Sequence, residues 1–343
     1  MPFYPRDDLM SKETKKVSII IPNYNGERFI PHLFKTLCEQ TYKKFEVIFV
    51  DNASTDHSLM LLENLLKKSP YNELNVRIIR NAVNLGFCQG NNIGLQFTHG
   101  KYVVFLNNDT YVSAKLLEKL VKVMDTHSSV GVCQSRIIWA QTGDIQTDGW
   151  LLDRYLWAQG LVFNKSKSTI SKIPFYASGA SMIIRRLLLI QLGGFDQELF
   201  CGDYDLCWRL RLCGYDVATS LKSKCYHYGG IATNTLVPQI KLTFHSHQEM
   251  VRVFLKNYST RNVIKRISQF MTLLFGQATY LSLKYKNPLY LVASFRALAW
   301  NLRKLSDTLL ARSRVQRHRK VSDREIEDNM IRYCVLLSRR RIA

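Results

Sequence analysis

From Val17 onward, short β-branched apolar runs alternate with longer stretches in which apolar residues recur at helical spacing. Residues 17–21 (VSIII), 45–50 (FEVIFV), 75–79 (NVRII) and 102–106 (YVVFL) predict strands. The segments near 28–40, 56–68, 87–99 and 114–127 predict the helices between them. Such alternation requires crossover connections, hence a mostly parallel sheet covered on both faces and an α/β fold class. Beyond Val130 the pattern blurs. Residues 130–138 (VGVCQSRII) read as a further strand, 174–186 (PFYASGASMIIRR) as a strand entering a helix, and 201–217 as a helix stopped at Gly214 before another strand. From about 239 the periodicity is helical, Lys and Arg are frequent, and strand signals cease.

In open sheets of this class, ligands bind beyond the carboxyl ends of the strands. The four predicted strands are followed by PNYNG, DNASTD, NAVNLGFCQGNN and NNDT, so polar side chains gather repeatedly at the expected rim. Taken alone, NNDT is a solvated turn, because Asn and Asp stabilise turns with their own side chains. Asp51 ends the second strand, where a carboxylate can accept from a base N–H or a ribose hydroxyl. Asp56 reads as a structural residue at a helix N-terminus. Asn84, Gly86, Gly90, Asn91 and Asn92 read as a loop entering a helix, with glycines that permit close backbone approach and N–H groups suited to anions. This glycine pattern is neither a dinucleotide-binding loop nor a P-loop.

Charge changes the picture at one end of the chain. The net charge is +21, and from Val251 onward there are 20 Lys/Arg against 5 Asp/Glu. Such a surface attracts polyanions: nucleic acid, anionic lipid or a diphosphate-bearing substrate. Nucleic acid is not the expected partner, since aromatic RNP and zinc-finger signatures are lacking. Residues 267–283 carry no charge but fall short of the ~20 apolar residues needed to span a bilayer. They read either as an interfacial helix with an apolar face flanked by basic residues or as a helix packed on the preceding domain. The eight cysteines form no C-x-x-C pair and read as reduced thiols in a cytosolic setting. The first sixteen residues lack the apolar core of a signal peptide.

The order of motifs resembles the family 2 glycosyltransferases, which have the GT-A fold. The matching stretches are VSIIIPNYNG (17–26), VDNASTD (50–56), NLGFCQGNNIG (84–94), LNNDT (106–110), SGASMIIRR (178–186), GGFDQELF (193–200), DYDLCWRLRLCGY (203–215) and YHYGG (226–230). RSRVQRHRKVSDREI is similar to the tails of bacterial rhamnosyltransferase-type members. The resemblance implies a GT-A fold (Rossmann-like, with a mostly parallel central sheet covered by helices) and a basic helical C-terminal extension. Its implied domains are an arm at 1–16, a catalytic domain at 17–238 with a nucleotide-sugar half (17–112) and an acceptor half (113–238), and a helical basic region at 239–343.

The resemblance also implies roles. Asn107-Asn108-Asp109 stands at the family's Asp-x-Asp position, so Asp109 is the metal-binding carboxylate, with Mg²⁺ or Mn²⁺ as the cofactor. His227 is the second metal ligand; a structural histidine is the alternative. The donor-binding set is Pro22, Asn23, Tyr24, Asp51, Asn84, Gly86, Gly90, Asn91 and Asn108. Asp203 aligns with the catalytic base, although the usual preceding Glu is Gly202 here and the segment before it is two residues shorter. Gly179 lies at an acceptor-side turn, or serves tight packing. Asp205 and Arg209 read as an exposed i,i+4 ion pair. Trp208 and Arg211 read as core and surface residues of the same helix.

The implied function is inverting transfer of a sugar, with rhamnose as the expectation, from a dTDP- or UDP-linked donor. The acceptor is a glycan or lipid-linked hydroxyl in surface-polysaccharide assembly, at the cytoplasmic face of the membrane. A nucleotide-sugar-binding regulator without turnover is the competing reading.

Overall fold

In the computed structural model, residues 17–163, 168–229 and 238–337 are described. The expected arm at 1–16, Gly230 of YHYGG and the last six residues lie outside them. Strands β1 (Val17–Asn23), β2 (Phe45–Asp51), β3 (Val76–Arg80) and β4 (Tyr102–Leu106) are linked by helices α1 (Ile30–Cys38), α2 (Ser58–Leu65) and α3 (Gly86–Leu95). β5 (Thr110–Val112), α4 (Leu116–Thr126) and β6 (Val130–Trp139) follow. Next come the short strands β7 (Ile145–Thr147), β8 (Trp150–Leu152), β9 (Ala158–Gly160) and β10 (Ile170–Ser171). β11 (Ser181–Arg185), α5 (Arg186–Gln191), α6 (Asp203–Leu212) and β12 (Asp216–His227) complete the sheet-bearing part.

The sheet runs β10-β12-β6-β11-β4-β1-β2-β3, with β5 on β12 and β7 on β6. β3, β2, β1 and β4 are mutually parallel, as the alternating pattern predicts, and β12 is parallel to β6. β11 is inserted antiparallel between β4 and β6. The α/β class is therefore observed. β2 is buried along its whole length, which is why Val47 to Val50 are apolar without alternation. Successive residues of β1 face opposite sides. Ile19 and Ile21 join Leu33, Phe34, Phe49 and Leu120 beneath α1 and α4, whereas Ile20 joins Val50, Leu95, Phe105 and Trp208 beneath α3 and α6.

Among the described residues, five further helices follow: α7 (Gln239–Asn257), α8 (Thr260–Lys284), α9 (Leu289–Arg303), α10 (Leu305–Arg317) and α11 (Asp323–Asp328). Phe254 of α7 and Phe270 and Leu274 of α8 belong to the same apolar cluster as Trp208 of α6. Of the two readings for residues 267–283, packing is realised: Phe270, Leu274 and Ala278 are buried. Among the described residues, no helix is long and apolar enough to cross a membrane.

The α6–α7 contact corrects the reading of Asp205, Arg209 and Arg211. Asp205 is fully buried, not exposed. It pairs with Arg209 (2.8 Å) and with Lys256 of α7 (2.9 Å), and accepts from Asn257 (3.1 Å). Asp196 beside it is gripped by Arg252 (2.8 Å) and Lys256 (2.5 Å). Lys256 and the Arg252 guanidinium hold the Asp196 carboxyl far below the usual range against the opposing effect of burial. Arg211 is likewise buried, donating to the carbonyls of Phe175 and Pro174. Trp208 is a core residue, as expected.

A buried ion pair that loses one partner leaves an uncompensated charge, a loss of about 3–5 kcal/mol. Lys256→Ala removes the cation that Asp196 and Asp205 share and leaves each with one arginine, so we expect destabilisation at the lower end of that range, about 3 kcal/mol, in urea unfolding. Lys304→Ala, which disrupts the half-exposed pair with Glu198, should stay within about 1 kcal/mol of wild type.

Candidate active site

The carboxyl ends of β1, β2 and β4 meet at one buried side chain. Asn23 Nδ2 lies within donating distance of Asp51 Oδ1 (3.1 Å), Ser54 Oγ (3.0 Å) and Ser58 Oγ (3.1 Å), and its Oδ1 accepts from Asn108 Nδ2 (2.8 Å). A buried amide satisfied by three strand ends fixes their relative positions. Gly26 is required here, since a Cβ would lie 2.2 Å from Asn23 Oδ1 and 2.4 Å from Asn108 Nδ2. Asp51 also accepts from the Ser54 hydroxyl (2.6 Å) and backbone N–H (3.1 Å), which orients its carboxylate. Pro22 and Tyr24 flank Asn23 and are part-exposed at the rim. Asp56 is structural, as expected, accepting from the N–H of Glu27 and of Ser58.

The Asn84–Asn92 segment departs from the loop reading. Gly86 opens α3, with Asn84 Oδ1 accepting its N–H (2.9 Å), while Gly90, Asn91 and Asn92 lie inside the helix. Free N–H groups are therefore confined to the first turn. Gly90 allows α3 to sit against Asn52, whose Nδ2 would be 2.8 Å from an added Cβ. Asn52 itself bonds the Gly86 carbonyl (3.1 Å) and Asn81 (2.8 Å), tying the end of β2 to the start of α3. Sequence reasoning missed this role, although Asn52 sits within DNASTD. Asn91 is fully buried, donates to the Phe87 carbonyl, and leaves its Oδ1 without a partner.

Asp109 and His227, far apart in the chain, are neighbours: β5 and the end of β12 pair antiparallel, and His227 Nε2 lies 3.2 Å from Asp109 Oδ1. His227 Nδ1 is 3.1 Å from the Gln146 side-chain amide, so each ring nitrogen has a polar neighbour. Nε2 and Asp109 Oδ1 stand at hydrogen-bonding distance, and a proton or a cation shared between them fits the pair. Their separation is near that of neighbouring ligands around an octahedral cation with bonds of about 2.1 Å, about 3.0 Å. Among the described residues, no group of three or more His, Cys, Asp or Glu side chains could hold a metal. A carboxylate and an imidazole nonetheless fit an ion that takes its remaining ligands from phosphate and water.

Asp203 is the first residue of α6. Its Oδ2 accepts from the Gly179 N–H (2.9 Å), and its Oδ1 has no partner. Gly179 is doubly constrained, since a Cβ would lie 2.6 Å from Asp203 Oδ1 and 2.6 Å from Phe87. Ala180, the next residue, accepts from the N–H of Asn107, so short bonded links join Asp203 to the Asn107–Asp109 turn. Burial pushes the Asp203 carboxyl up to about 7, assisted by the nearby Glu249 charge and opposed by the Gly179 N–H.

A mostly parallel sheet with a polar rim, a carboxylate–imidazole pair and a raised carboxyl with one free oxygen are the parts of an α/β enzyme site. The model of Glycosyl transferase family 2 matches residues 18–189, and the chain belongs to that family. Poly(ribitol-phosphate) β-N-acetylglucosaminyltransferase TarS of Staphylococcus aureus is 32% identical over 117 residues, 33% of this chain but only 20% of that protein's length. The structure of TarS residues 1–349 with UDP-GlcNAc shares the fold at a TM-score of 0.59 and 20% identity, covering 91% of this chain and 90% of that one. GalNAc-T7 with UDP, GalNAc and Mn²⁺ gives 0.58 at 17% identity, covering 74% and 49%. The fold is thus GT-A.

Two measurements check the site. Asn23→Ala takes the acceptor from the Asn108 amide and a donor from Asp51, and should destabilise the protein by about 1–3 kcal/mol in urea unfolding. For Asp203, the folded-state affinity for the proton exceeds the unfolded one, so its contribution is fully present below about pH 4 and lost as pH rises to about 7. Asp203→Asn removes that loss. Its melting temperature relative to wild type should rise between pH 4 and pH 8 and then level off.

Proposed function

We propose that this protein transfers a sugar from a nucleoside-diphosphate donor to a hydroxyl acceptor with inversion, in cell-surface polysaccharide assembly. The observation that carries this reading is the pairing of Asp109 with His227 beside the raised, half-bare Asp203. In the transfer, the acceptor oxygen bonds the anomeric carbon, the bond from that carbon to the diphosphate breaks, and the acceptor proton passes to Asp203 Oδ1. A residue that titrates near neutrality is suited to that task. Asp109 and His227 would hold Mg²⁺ or Mn²⁺, which when bound acts as a Lewis acid on the departing diphosphate. Asn23, Asn108 and the first turn of α3 position the donor. Asp51 supplies an oriented acceptor for its base or ribose.

The likeness to TarS supports a UDP-linked donor, and the tail motif a dTDP-linked one such as dTDP-rhamnose; both carry a pyrimidine. The non-catalytic alternative rested on Asn107-Asn108 and the missing Glu. Against it, the remaining carboxylate has an imidazole beside it and the base retains a free oxygen.

The same reading places the protein on an anionic membrane surface, where a lipid-linked acceptor would reside. α9 buries Tyr290, Ala293, Ala297 and Asn301, yet its opposite face exposes Leu289 (50%), Val292 (45%), Phe295 (56%) and Leu302 (64%). Arg296 and Arg303 interleave with that stripe, and residues 250–306 contain no Asp or Glu. A two-fold contact between copies through this face would set arginine against arginine without acids to pair them. An anionic bilayer complements both the apolar rows and the charge.

Three outcomes test the proposal. Asp203→Asn should abolish transfer while a thermal-shift screen of UDP-GlcNAc, UDP-glucose, dTDP-rhamnose and GDP-mannose with Mn²⁺ still registers the donor; an active variant removes Asp203 from the base role. His227→Ala should leave donor binding weaker and insensitive to added Mn²⁺. Wild type should co-sediment with phosphatidylglycerol vesicles and not with phosphatidylcholine, and Phe295→Glu with Leu302→Glu should lower that binding at least ten-fold. Self-association with no vesicle binding would reassign the face to a second copy.

A further inference from the structure

Where the resemblance leads one to expect a glutamate, the chain has Gly202, in a left-handed conformation (φ 72°) with no side chain to cap the helix that follows. Replacing it would be difficult, since a Cβ would lie 2.7 Å from Cys88 Sγ. The backbone donors at this bend still need partners. They find them in Glu249 of α7: Oε1 accepts from Gly202 N–H (2.8 Å) and Oε2 from Cys201 N–H (3.1 Å). Both carboxylate oxygens are used, and the side chain is buried.

Seven residues along α7, hence on the same helix face, Lys256 holds Asp205 at 2.9 Å. α7 therefore grips the chain on either side of Asp203, through 201–202 before it and through 205 after it. Asp203 itself has only the Gly179 N–H. We propose that Glu249 is a positioning residue for the base: a carboxylate carried on a distant helix that takes the place of the absent local acid, fixes the entry to α6, and sets the field in which Asp203 gives and takes its proton. This rests on the reading of Asp203 as the base.

The surroundings make the field effective. Asp203 and Asp205 on α6, Cys201 before it, Cys88 on α3, Tyr176, Tyr204 and Lys256 are the titratable groups that interact with Glu249. Lys256 alone among them is cationic, and it is shared with Asp196 and Asp205. Burial pushes Glu249 up to about 7 as well, against the pull of the two N–H donors. Burial is the main cause of the raised Asp203 carboxyl, and the Glu249 charge adds to it.

The test reads Asp203 directly. Carboxyl ¹³C resonances of Asp-labelled full-length protein are followed from pH 4 to 9, with Asp203→Asn identifying the signal. Wild type should titrate near pH 7. In Glu249→Gln the midpoint should fall by about half a unit, a roughly three-fold change in proton affinity, while burial keeps most of the rise. The amides of Cys201 and Gly202 should also exchange faster. A folded Glu249→Gln protein with an unmoved midpoint overturns the proposal. If that variant does not fold, Glu249→Asp decides. It keeps the charge, so its midpoint should match that of wild type, and a fall of about half a unit or more overturns the proposal. Because no donor or acceptor enters this measurement, its failure is distinct from that of the base reading, which activity of Asp203→Asn would sink.

Discussion

Two acids and two bases with almost no access to water hold this molecule's two regions together. Asp196 and Asp205 sit on the sheet side, Arg252 and Lys256 on α7. Removing such groups from water is expensive unless each charge is met and its remaining hydrogen-bonding capacity filled. Here Asn257 and Arg209 complete Asp205, and Thr308 and Asp307 complete Arg252. The arrangement tolerates very little displacement. α7 is therefore seated against α6 in one register, and Glu249 is delivered to the start of α6 with the same definition. The basic C-terminal region is part of the catalytic body's architecture, not a tail hung upon it.

The rim of the sheet is organised on a similar logic, with asparagine amides joining the strand ends around the Asp51 and Asp56 carboxylates. Asn23 bridges three strand ends, Asn52 bridges β2 to α3, and Asn92 bonds both the N–H and carbonyl of Phe195. Asparagine suits such joints because it offers donors and an acceptor without the desolvation penalty of a charge.

Much of this was legible in the sequence. The strand predicted at 102–106 coincides with β4, and those at 17–21 and 45–50 fall within β1 and β2. Their period and flanking turns carry strong local signals. Motif order likewise led to Asp109 and His227 as partners, and they are in contact. What escaped was set by tertiary context. α6 buries eight of its ten residues, so its polar side chains gave no clue to which face was wet, and Asp205, Arg209 and Arg211 were read as surface groups. Gly90, Asn91 and Asn92 have poor helix propensity, yet Gly90 and Gly94 are where the helix meets Asn52 and Ile20 most closely, and packing prevailed. Glu249 belongs to no motif. Nothing in QEMVRVF says that a glutamate there reaches back across the chain to two backbone amides.

The left-handed bend at Gly202 carries a consequence for how kinship among such proteins is judged. A short signature counts only neighbours along the chain, whereas a carboxylate may migrate to another helix and be restored through space. A lineage that has undergone this exchange looks degraded by its letters and whole in its geometry. Inventories of lapsed enzymes compiled from local spelling would misfile it.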